Sequence, residues 1–464
     1  MLGPAMASPA TSSRAIARPP GPKPPRTPWG LLKYVKEISA DPIAFVGRRF
    51  EAYGDIYYAP LGGTDLYVTR HPDHIEQVLV SQARHFIKPE TGRVTSTLRR
   101  FLGVGVLLAN GEVWRRQRRM IQPSLGRKRL RTYAEAMVDE THTKIEGWPK
   151  GDRFDLAEAM VQLTLGIVLR VLFDVELSDR AGAAAGAIEG FRAAVGTSQL
   201  VPPWIPTAAN RRINRALRDT DALMSEMVAD RKRLSPSELA ARDDLLSALV
   251  AATDEETGEG MTERQLRDEL LTLFFAGHET TSNALAWTFH LLSQHPDELE
   301  RLQTVVDDVL GDRTATVDDM PALAPCQAAI EESMRLFPPV PAFGRLATVD
   351  VDLGDYTIPA GSEIAMWPYW AQRDARWWEA PEAFRPERFA PDAPKPKPGS
   401  YQPFGGGQRT CIGKHFALME ATLILATVLQ KVELDALEPH RVRMRQAITL
   451  SPRDGLPFVV RPRS

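Results

Sequence analysis

The sequence predicts a mainly helical protein with a small β-rich lobe, built as one large domain rather than as several modules. Helical periodicity fills the middle of the chain, strand-like runs are few and lie near the two ends, and no strong linker divides the 464 residues. A hydrophobic content of 43% with 25% charged residues is typical of a soluble globular protein. The net charge of −2 gives no indication of nucleic-acid binding.

The N-terminus is expected to be a disordered, basic, proline-rich tail over residues 1–29, followed by a single domain over 30–464. Residues 1–30 contain no acid, and six of the ten residues 19–28 are proline. The apolar core of a secretory signal is absent, and no run approaches the ~18 uninterrupted apolar residues of a transmembrane anchor. Two cysteines provide no disulfide framework and fit a reducing compartment, so a cytoplasmic protein is expected.

Each expected helix is a stretch in which apolar residues recur at helical spacing. The expected helices cover 41–53, 72–82, 111–121, 127–146, 154–173, 181–195, 208–233, 243–252, 262–294, 296–309, 322–336 and 412–430. The expected strands are Ile56–Ala59, Asp65–Thr69, Leu346–Asp352, Glu363–Trp367 and Pro457–Val460.

The helix expected over 262–294 is long enough to cross a whole domain, at ~50 Å for a rise of 1.5 Å per residue. Thr262 and Gln265 have the spacing of a capping box, and Pro296 ends the helix. Its central part, Leu270–Leu285, is apolar on nearly every face, which indicates burial.

Inside that apolar stretch lies the sequence Ala-Gly-His-Glu-Thr-Thr, residues 276–281. A glycine and a charge both cost free energy in a buried helix. The hydroxyl of Thr280 is expected to take a carbonyl from the helix ladder and to open a local bulge. The carboxyl of Glu279 beside this alcohol is suited to hand protons to a molecule bound there. Without other context, a kinked core helix is an equally good interpretation.

The glycine-rich segment Phe404–Gly413 places Cys411 where a helix opens. A thiol at the positive end of a helix dipole is expected to have a lowered pKa. The glycines allow close approach of the backbone to a large ligand, and Arg409 adds a cation for an anionic group. The segment therefore suits a thiolate-bound metal in a flat, acid-bearing cofactor such as haem.

Other interpretations of this segment fail on spacing or on ligand number. It lacks the Gly-Lys-Ser/Thr ending of a phosphate loop, and Thr410 stands where a dinucleotide loop needs its third glycine. A zinc site needs about four ligands, whereas Cys411 and His415 supply two and the other cysteine is the distant Cys326. A tight turn with an inert buried cysteine remains an alternative for the segment taken alone.

Two further groups of residues have a spacing that suits interactions with carboxylates. Glu332 and Arg335 share a helix face, and Arg388 could complete a buried network of one carboxylate between two guanidiniums. Trp114 and Arg118 also share a face, and with Arg345 they are candidate donors to carboxylates.

Taken in order along the chain, these motifs resemble the cytochrome P450 superfamily of haem-thiolate enzymes. The cysteine segment matches the family pattern at Phe404, Gly407, Arg409, Cys411 and Gly413. The oxygen-activation motif of the family matches at Ala276, Gly277, Glu279 and Thr280. The Glu-x-x-Arg motif matches at Glu332 and Arg335, with Arg388 as its third member. The propionate-binding helix matches at Trp114 and Arg118. The resemblance covers essentially residues 30–464.

The resemblance implies a triangular prism of about a dozen helices around a buried haem b. Cys411 would bind the iron, and Thr280 with Glu279 would steer protons during oxygen activation. Glu332, Arg335 and Arg388 would brace the core that carries the cysteine segment. The remaining cofactor contacts would come from Trp114, Arg118, Ala276, Arg345, Phe404, Gly405, Arg409 and Gly413.

The resemblance also implies a monomeric, bacterial-type monooxygenase without a membrane anchor, which inserts one oxygen atom from O₂ into a lipophilic small molecule. The expected pocket walls are Phe275, Ala276, Thr280, Val340, Ala342 and Phe343, with residues near 86–108 and 190–205. Electrons would come from a separate ferredoxin or flavodoxin. We expect it to dock on a basic cluster made of Arg115, Arg116, Arg119, Arg127, Lys128 and Arg129.

Two other functions stay open for such a scaffold. One is a peroxide-driven or isomerising haem-thiolate enzyme, which would not need the proton path that the Glu279–Thr280 pair provides. The other is a non-catalytic haem sensor or carrier, although no partner output domain is visible in the sequence.

Overall fold

The computed structural model describes residues 18–25, 27–61, 64–174, 186, 188, 190–191, 205–438 and 442–463. Helices dominate this part of the chain. They are Pro28–Ala40, Pro42–Tyr53, Pro72–Glu76, Arg93–Leu102, Gly111–Ile121, Arg127–Glu146, Leu156–Phe173, Ala208–Lys232, Pro236–Ala240, Leu245–Ala251, Glu263–Ser293, Pro296–Leu310, Ala324–Leu336, Pro368–Ala371 and Lys414–Lys431.

The strands form small sheets at the edge of the helical body. They are β1 Ile56–Leu61, β2 Thr64–Thr69, β3 Phe86–Ile87, β4 Arg153–Asp155, β5 Phe343–Ala347, β6 Val351–Leu353, β7 Tyr356–Ile358, β8 Glu363–Met366, β9 Val432–Ala436, β10 Met444–Gln446, β11 Leu450–Pro452 and β12 Pro457–Pro462. The largest sheet has the order β1-β2-β8-β5-β3, with β2 and β8 parallel and the other pairs antiparallel. A second sheet has the order β4-β12-β9, and the pairs β6–β7 and β10–β11 are hairpins.

The helix Glu263–Ser293, called the central helix below, runs through the apolar core. Its capping box is formed as the sequence predicted, with the Thr262 hydroxyl accepting from Gln265 N and the Gln265 side chain accepting from Thr262 N. The helix Leu156–Phe173 packs along it, and the Thr164 hydroxyl donates to His278 O at 3.0 Å. Residues 276–281, which belong to the central helix, are therefore held at a fixed position within the apolar core.

The helix Leu156–Phe173 is also the one span among the described residues that is long and apolar enough to cross a membrane. Its apolar window is 72% buried inside the protein. Burial of that extent is what a core helix of a globular domain shows.

The expected elements differ from the structure in several places. The helices Pro28–Ala40 and Arg93–Leu102 were missed, and the strand expected over Leu346–Asp352 is wrong as one element, because a bend separates β5 from β6. The last part of the helix expected over 72–82 is a π-helical turn. Most of the helix expected over 181–195 lies outside the described residues.

Residues at the start of the described chain lie against the sheet. Tyr58 N donates to Pro20 O at 3.0 Å, and the Arg18 guanidinium lies 4.3 Å from the centre of the Tyr58 ring. Thr27 caps the helix that begins at Pro28. The division into a tail over 1–29 and a domain over 30–464 stays a prediction.

Candidate active site

The cysteine segment Phe404–Gly413 is a turn that leads into Lys414–Lys431, called the cysteine helix below. The turn is closed by a hydrogen bond from Cys411 N to Phe404 O at 2.9 Å. Gly405 and Gly407 have φ values of +66° and +62°, a region that favours glycine. The sequence assigned these glycines to close approach of a ligand. At Gly407 the close approach is to the protein itself, because a Cβ there would lie 1.8 Å from Leu79 O.

Cys411 is largely enclosed by protein, yet part of the residue is accessible. Burial raises the pKa of the Cys411 thiol, and the Gly413 N–H, Arg118 and Lys414 oppose this rise. The expected lowering of the pKa is therefore wrong for the protein chain alone, since desolvation outweighs the helix terminus. Stabilising the thiolate there requires a further positive partner.

The cysteine segment is tied to the helix Gly111–Ile121, called the tryptophan helix below. Arg118 Nη1 donates to Thr410 O at 2.9 Å. Arg409 donates to Ala109 O at 2.8 Å and to Asn110 Oδ1 at 3.1 Å. The Trp114 ring lies 4.1 Å from the Arg409 guanidinium and 5.9 Å from that of Arg118. Residues far apart in sequence thus surround one side of the cysteine.

Four cations meet at this place, and we name them the cation cluster: Lys88, Arg118, Arg345 and Arg409. Burial lowers the pKa of Arg345 to about 10. Burial, Arg345 and Arg118 together lower the pKa of Arg409 to about 10, and burial, Arg345 and Arg409 lower that of Lys88. Burial also lowers the pKa of Arg118. Among the described residues, none of the four has a carboxylate partner.

Arg345 is buried and the other three cations are half-buried. Cations in such positions that repel one another and lack counter-ions are costly unless an anion joins them. A ligand with two carboxylates would supply the missing charge, and the planar guanidiniums suit such groups. The sequence interpretation missed Lys88 and Asn110. The amide of Asn110 exchanges hydrogen bonds with Lys88 N and Lys88 O at 2.9 and 3.0 Å, and its position before the tryptophan helix was the available signal.

A second set of buried charges is balanced by the chain itself. Arg335 pairs with Glu332 through two hydrogen bonds at 2.7 and 2.8 Å, and both side chains are fully buried. Arg388 Nε lies 3.4 Å from Glu332 Oε1. The other Arg335 hydrogens go to backbone oxygens of Gln372, Pro381 and Ala383. The structure brings together the three residues that the sequence grouped as a network.

Gln372, which the sequence interpretation missed, connects this network to the approach to the cysteine segment. Its amide nitrogen donates to Met334 O and Arg335 O at 3.0 and 2.9 Å, and its amide oxygen accepts from Gln402 N at 2.9 Å. Gln402 precedes Phe404 by two residues. The charged network and the cysteine segment are therefore one hydrogen-bonded unit.

Residues 276–281 are α-helical without a bulge. The Thr280 hydroxyl donates to Ala276 O at 2.6 Å, and the Thr281 hydroxyl donates to Gly277 O at 3.0 Å. The sequence correctly anticipated the hydroxyl–carbonyl contact, but the local opening it was expected to cause is absent. Ala276 is exposed although Phe275 and His278 beside it are buried, so Ala276 lines an internal opening.

The Glu279 carboxylate is held by a residue from another part of the chain. Thr449 Oγ1 donates to Glu279 Oε1 at 3.0 Å. Thr449 lies between β10 and β11 and is 7% exposed. Glu279 and Thr280 are thus both on the accessible side of the central helix, with the acid directed to the β10–β11 hairpin.

The residues expected to line the substrate pocket differ in how far they are buried. Phe275 is packed in the apolar core, with its ring centre 4.4 Å from that of Phe191. Val340, Ala342 and Phe343 are half-buried where the chain enters β5. Of the walls expected near 190–205, the structure describes residues 190, 191 and 205, and the rest lie outside the described residues.

The expected basic docking surface is largely neutralised, because acidic side chains face its arginines. Arg115 pairs with Glu112 at 2.8 Å and Arg116 with Glu259 at 3.3 Å. The remaining ion pairs join Arg119 to Glu112, Asp254 and Glu256, and Arg129 to Asp243. These four arginines therefore carry less uncompensated charge than the sequence indicates, and docking of a redox partner on the cluster stays a prediction. Lys128 is exposed, and the Arg127 side chain lies outside the described residues.

A cavity of about 1650 Å³ opens between these charges and the cysteine. It does not reach Thr280, so it lies on the side of the cysteine segment away from the central helix. Its lining mixes apolar and charged side chains, including Arg118, Leu125, Arg129, Met320, Cys411 and His415.

The family model for cytochrome P450 matches residues 19–455, and the chain belongs to this family. Cyclooctatin synthase of Streptomyces melanosporofaciens is 35% identical over 89% of this chain and 90% of that protein. Cyclooctat-9-en-7-ol 5-monooxygenase of the same organism is 32% identical over 89% of this chain and 91% of that protein. Pentalenene oxygenase of Streptomyces avermitilis is 32% identical over 89% of this chain and 95% of that protein.

The fold agrees with solved structures of the family. The crystal structure of the cytochrome P450DA heme domain superposes with a TM-score of 0.87 at 26% identity, covering 97% of this chain and 99% of that chain. The mainly helical class with small sheets is thus confirmed as the cytochrome P450 fold. The protein is a cytochrome P450 monooxygenase, an oxidoreductase that uses haem, O₂, a lipophilic substrate and a redox partner.

Proposed function

We propose that the Cys411 thiolate would hold the iron of haem b and that the cation cluster, with Trp114, would hold the two propionates. The observation that carries this is the set of four cations, one buried and three half-buried, without carboxylate partners among the described residues and beside an accessible cysteine. The donor set fits the group: guanidiniums and an ammonium suit carboxylates, and the thiolate suits iron. Phe404, Gly405, Gly413 and Ala276 complete the contacts.

Haem bound at Cys411 supplies activation of O₂ and insertion of one oxygen atom into a C–H or C=C bond. The chain's own residues manage protons and position. The Gly413 N–H directed at the sulfur helps to hold the charge of the thiolate. Thr280 Oγ1 and the Glu279 carboxyl pass protons toward the oxygen site along the accessible face of the central helix. Glu332, Arg335 and Arg388 keep the cysteine segment in place through Gln372.

The substrate we propose is a largely hydrocarbon alkene or alkenol, of the kind that the relatives' names state. The support is the apolar character of Phe275, Ala276, Val340, Ala342 and Phe343, which present few groups that could satisfy a polar ligand. A screen of such compounds for spin-state shifts of the haem spectrum tests the substrate class. Binding of polar compounds alone would contradict it.

The electron donor we propose is a separate ferredoxin or flavodoxin that docks over the 1650 Å³ cavity beside Cys411. The support is its position behind the cysteine segment and the cations on its rim, including Arg129 and Lys414. We propose that the protein works as a monomer in the cytoplasm, and gel filtration coupled to light scattering measures the oligomeric state.

Replacing Cys411 with serine tests the haem ligand. The reduced carbon monoxide complex of the wild type should have the red-shifted Soret band of a thiolate-bound haem, and Cys411→Ser should lose it. Cys326→Ser is the matched control, because Cys326 is buried in the helix Ala324–Leu336. A thiolate band that persists in Cys411→Ser would overturn the assignment.

A further inference from the structure

The β10–β11 hairpin lies over the central helix and belongs to none of the motifs. Its strands pair from Met444 with Pro452 to Gln446 with Leu450, and Ala447 N donates to Thr449 O at 3.0 Å across the turn. The turn is therefore short and closed by its own backbone, and it presents two neighbouring side chains, Ile448 and Thr449.

The strand residue next to the tip, Leu450, is fixed to the protein through both its N–H and its carbonyl. Leu450 is fully buried, its carbonyl accepts from Trp287 Nε1 at 3.0 Å, and its N–H donates to Pro339 O at 2.9 Å. Trp287 is held in turn by stacking on Phe337 at 4.2 Å. Because Leu450 is held by these bonds, a displacement of the tip is confined to the turn residues 447–449.

The two tip residues face different surroundings. Ile448 packs against the apolar cluster that contains Phe101 and Phe275. Thr449 is buried and donates its hydroxyl hydrogen to Glu279 Oε1 at 3.0 Å. Ile448 therefore contacts the apolar wall, while the neighbouring Thr449 hydrogen-bonds the Glu279 carboxylate.

We propose that Thr449 is a positioning residue for Glu279 and that the hairpin tip links occupancy of the pocket to proton delivery. In the substrate-free protein the Thr449 hydroxyl keeps the carboxylate directed to the hairpin. A lipophilic substrate pressing on Ile448 displaces the tip, the Thr449 hydrogen bond lengthens, and the carboxyl group turns toward Thr280. The inference rests on the proposed role of Glu279 in proton transfer.

Removing the hydroxyl while keeping the side-chain shape tests this device. Thr449→Val in the haem-loaded, substrate-free protein should raise reductant consumption and peroxide release roughly fivefold, because the Glu279 carboxylate loses the hydroxyl hydrogen bond that directs it to the hairpin. The assay uses a surrogate ferredoxin and its reductase. Thr449→Ser should restore the wild-type rate.

The matched control is Thr357→Val on the β6–β7 hairpin, which removes a threonine–carboxylate hydrogen bond of 2.6 Å to Asp352. It should leave reductant consumption unchanged. A second readout is hydrogen exchange of residues 444–452 without substrate or reductant. Thr449→Val should speed exchange at the tip and leave Leu450 protected, with the melting temperature changed no more than in Thr357→Val.

The outcomes separate this inference from the function on which it rests. If Glu279→Gln retains wild-type turnover and coupling, the proposed proton role of Glu279 fails. If Glu279→Gln is impaired while Thr449→Val leaves both leakage and tip exchange at wild-type values, the positioning role of Thr449 is overturned and the role of Glu279 stands.

Discussion

Two groups of buried charges in this protein differ in how their charge is balanced. In the Glu332 network, one carboxylate takes two hydrogen bonds from Arg335 and an ion pair from Arg388, and backbone oxygens accept the remaining hydrogen bonds of Arg335. In the cation cluster, by contrast, Arg345 and Arg409 have their pKa values lowered to about 10, and no described carboxylate pairs with them.

The difference separates structural charges from ligand-binding charges. A network balanced within the chain is complete on folding, so its loss costs stability. A set of like charges without counter-ions is complete only when an anionic ligand arrives, so its loss costs binding. Comparing variants with and without haem makes this distinction measurable.

The largest effect is expected at the balanced network. Glu332→Ala leaves Arg335 buried and unpaired, which should cost about 3–5 kcal/mol of stability with or without haem. Denaturant unfolding followed by circular dichroism measures it. Glu298→Ala is the control, because Glu298 and Arg301 have the same i, i+3 spacing in a more exposed pair that should be worth less than about 1 kcal/mol. Similar losses in both variants would contradict the comparison.

An effect of opposite sign in the two states is expected at the cation cluster. Arg345→Leu removes a repelled, buried charge, so the haem-free protein should melt at a higher temperature than the wild type. The haem-loaded variant should release haem to apomyoglobin about tenfold faster, since one anion-binding group is lost. Arg335→Leu should lower the melting temperature in both states. An Arg345→Leu variant destabilised in both would assign Arg345 to the structural class.

Glu420 is a third kind of buried charge, because this acid of the cysteine helix has neither an ion pair among the described residues nor an expected ligand. Burial raises its pKa to about 8, with a small opposing effect of Thr281. The folded protein therefore holds a proton that the unfolded chain loses near pH 4.5. Its stabilising contribution is complete below that pH and is lost as the pH rises through about 8.

Glu420→Gln does not titrate, so its stability relative to the wild type should increase between pH 5 and pH 8, by up to about 1.4 kcal/mol per pH unit. Melting temperatures across this range measure the trend. Glu433→Gln, at an exposed position of β9, should show no such trend. A Glu420→Gln advantage that shrinks as the pH rises would contradict the assignment of a neutral buried acid.

The smallest effect is expected on the surface. Lys128→Glu should slow electron transfer from a ferredoxin a few-fold at low salt, with the effect disappearing at high salt. The charge-swapped double variant Arg115→Glu, Glu112→Arg keeps the net charge and should leave the rate unchanged. Stopped-flow reduction of the haem measures both. Equal slowing by the two variants would indicate that individual positions matter more than net charge.

The sequence predicted the central helix to within one residue at each end, because its capping box and the following proline are local signals. It also grouped Glu332 with Arg335, since their spacing fixes a shared helix face. Four residues were not predicted from the sequence, because each contacts a residue from a distant part of the chain: Lys88, Asn110, Gln372 and Thr449.

The acidic partners of the basic cluster were missed for the same reason. Arg119 lies in a run of basic residues, but Asp254 and Glu256, which neutralise it, come from a loop before the central helix. Similarly, the thiol of Cys411 stands at a helix start as predicted, but desolvation by the surrounding protein sets the direction of its pKa shift. Burial and pairing depend on packing, which no local pattern encodes.

The sequence by itself determined the family, the cysteine segment and the order of the motifs, because these rest on residue type and short-range spacing. The tertiary structure alone decided which charges are balanced within the chain and which are left for a ligand. It also decided that the acid of the central helix is held by a hairpin that follows it by many residues. The physical reason is that electrostatic partnership depends on distance in space and on exclusion of water, and both arise only when the chain has packed.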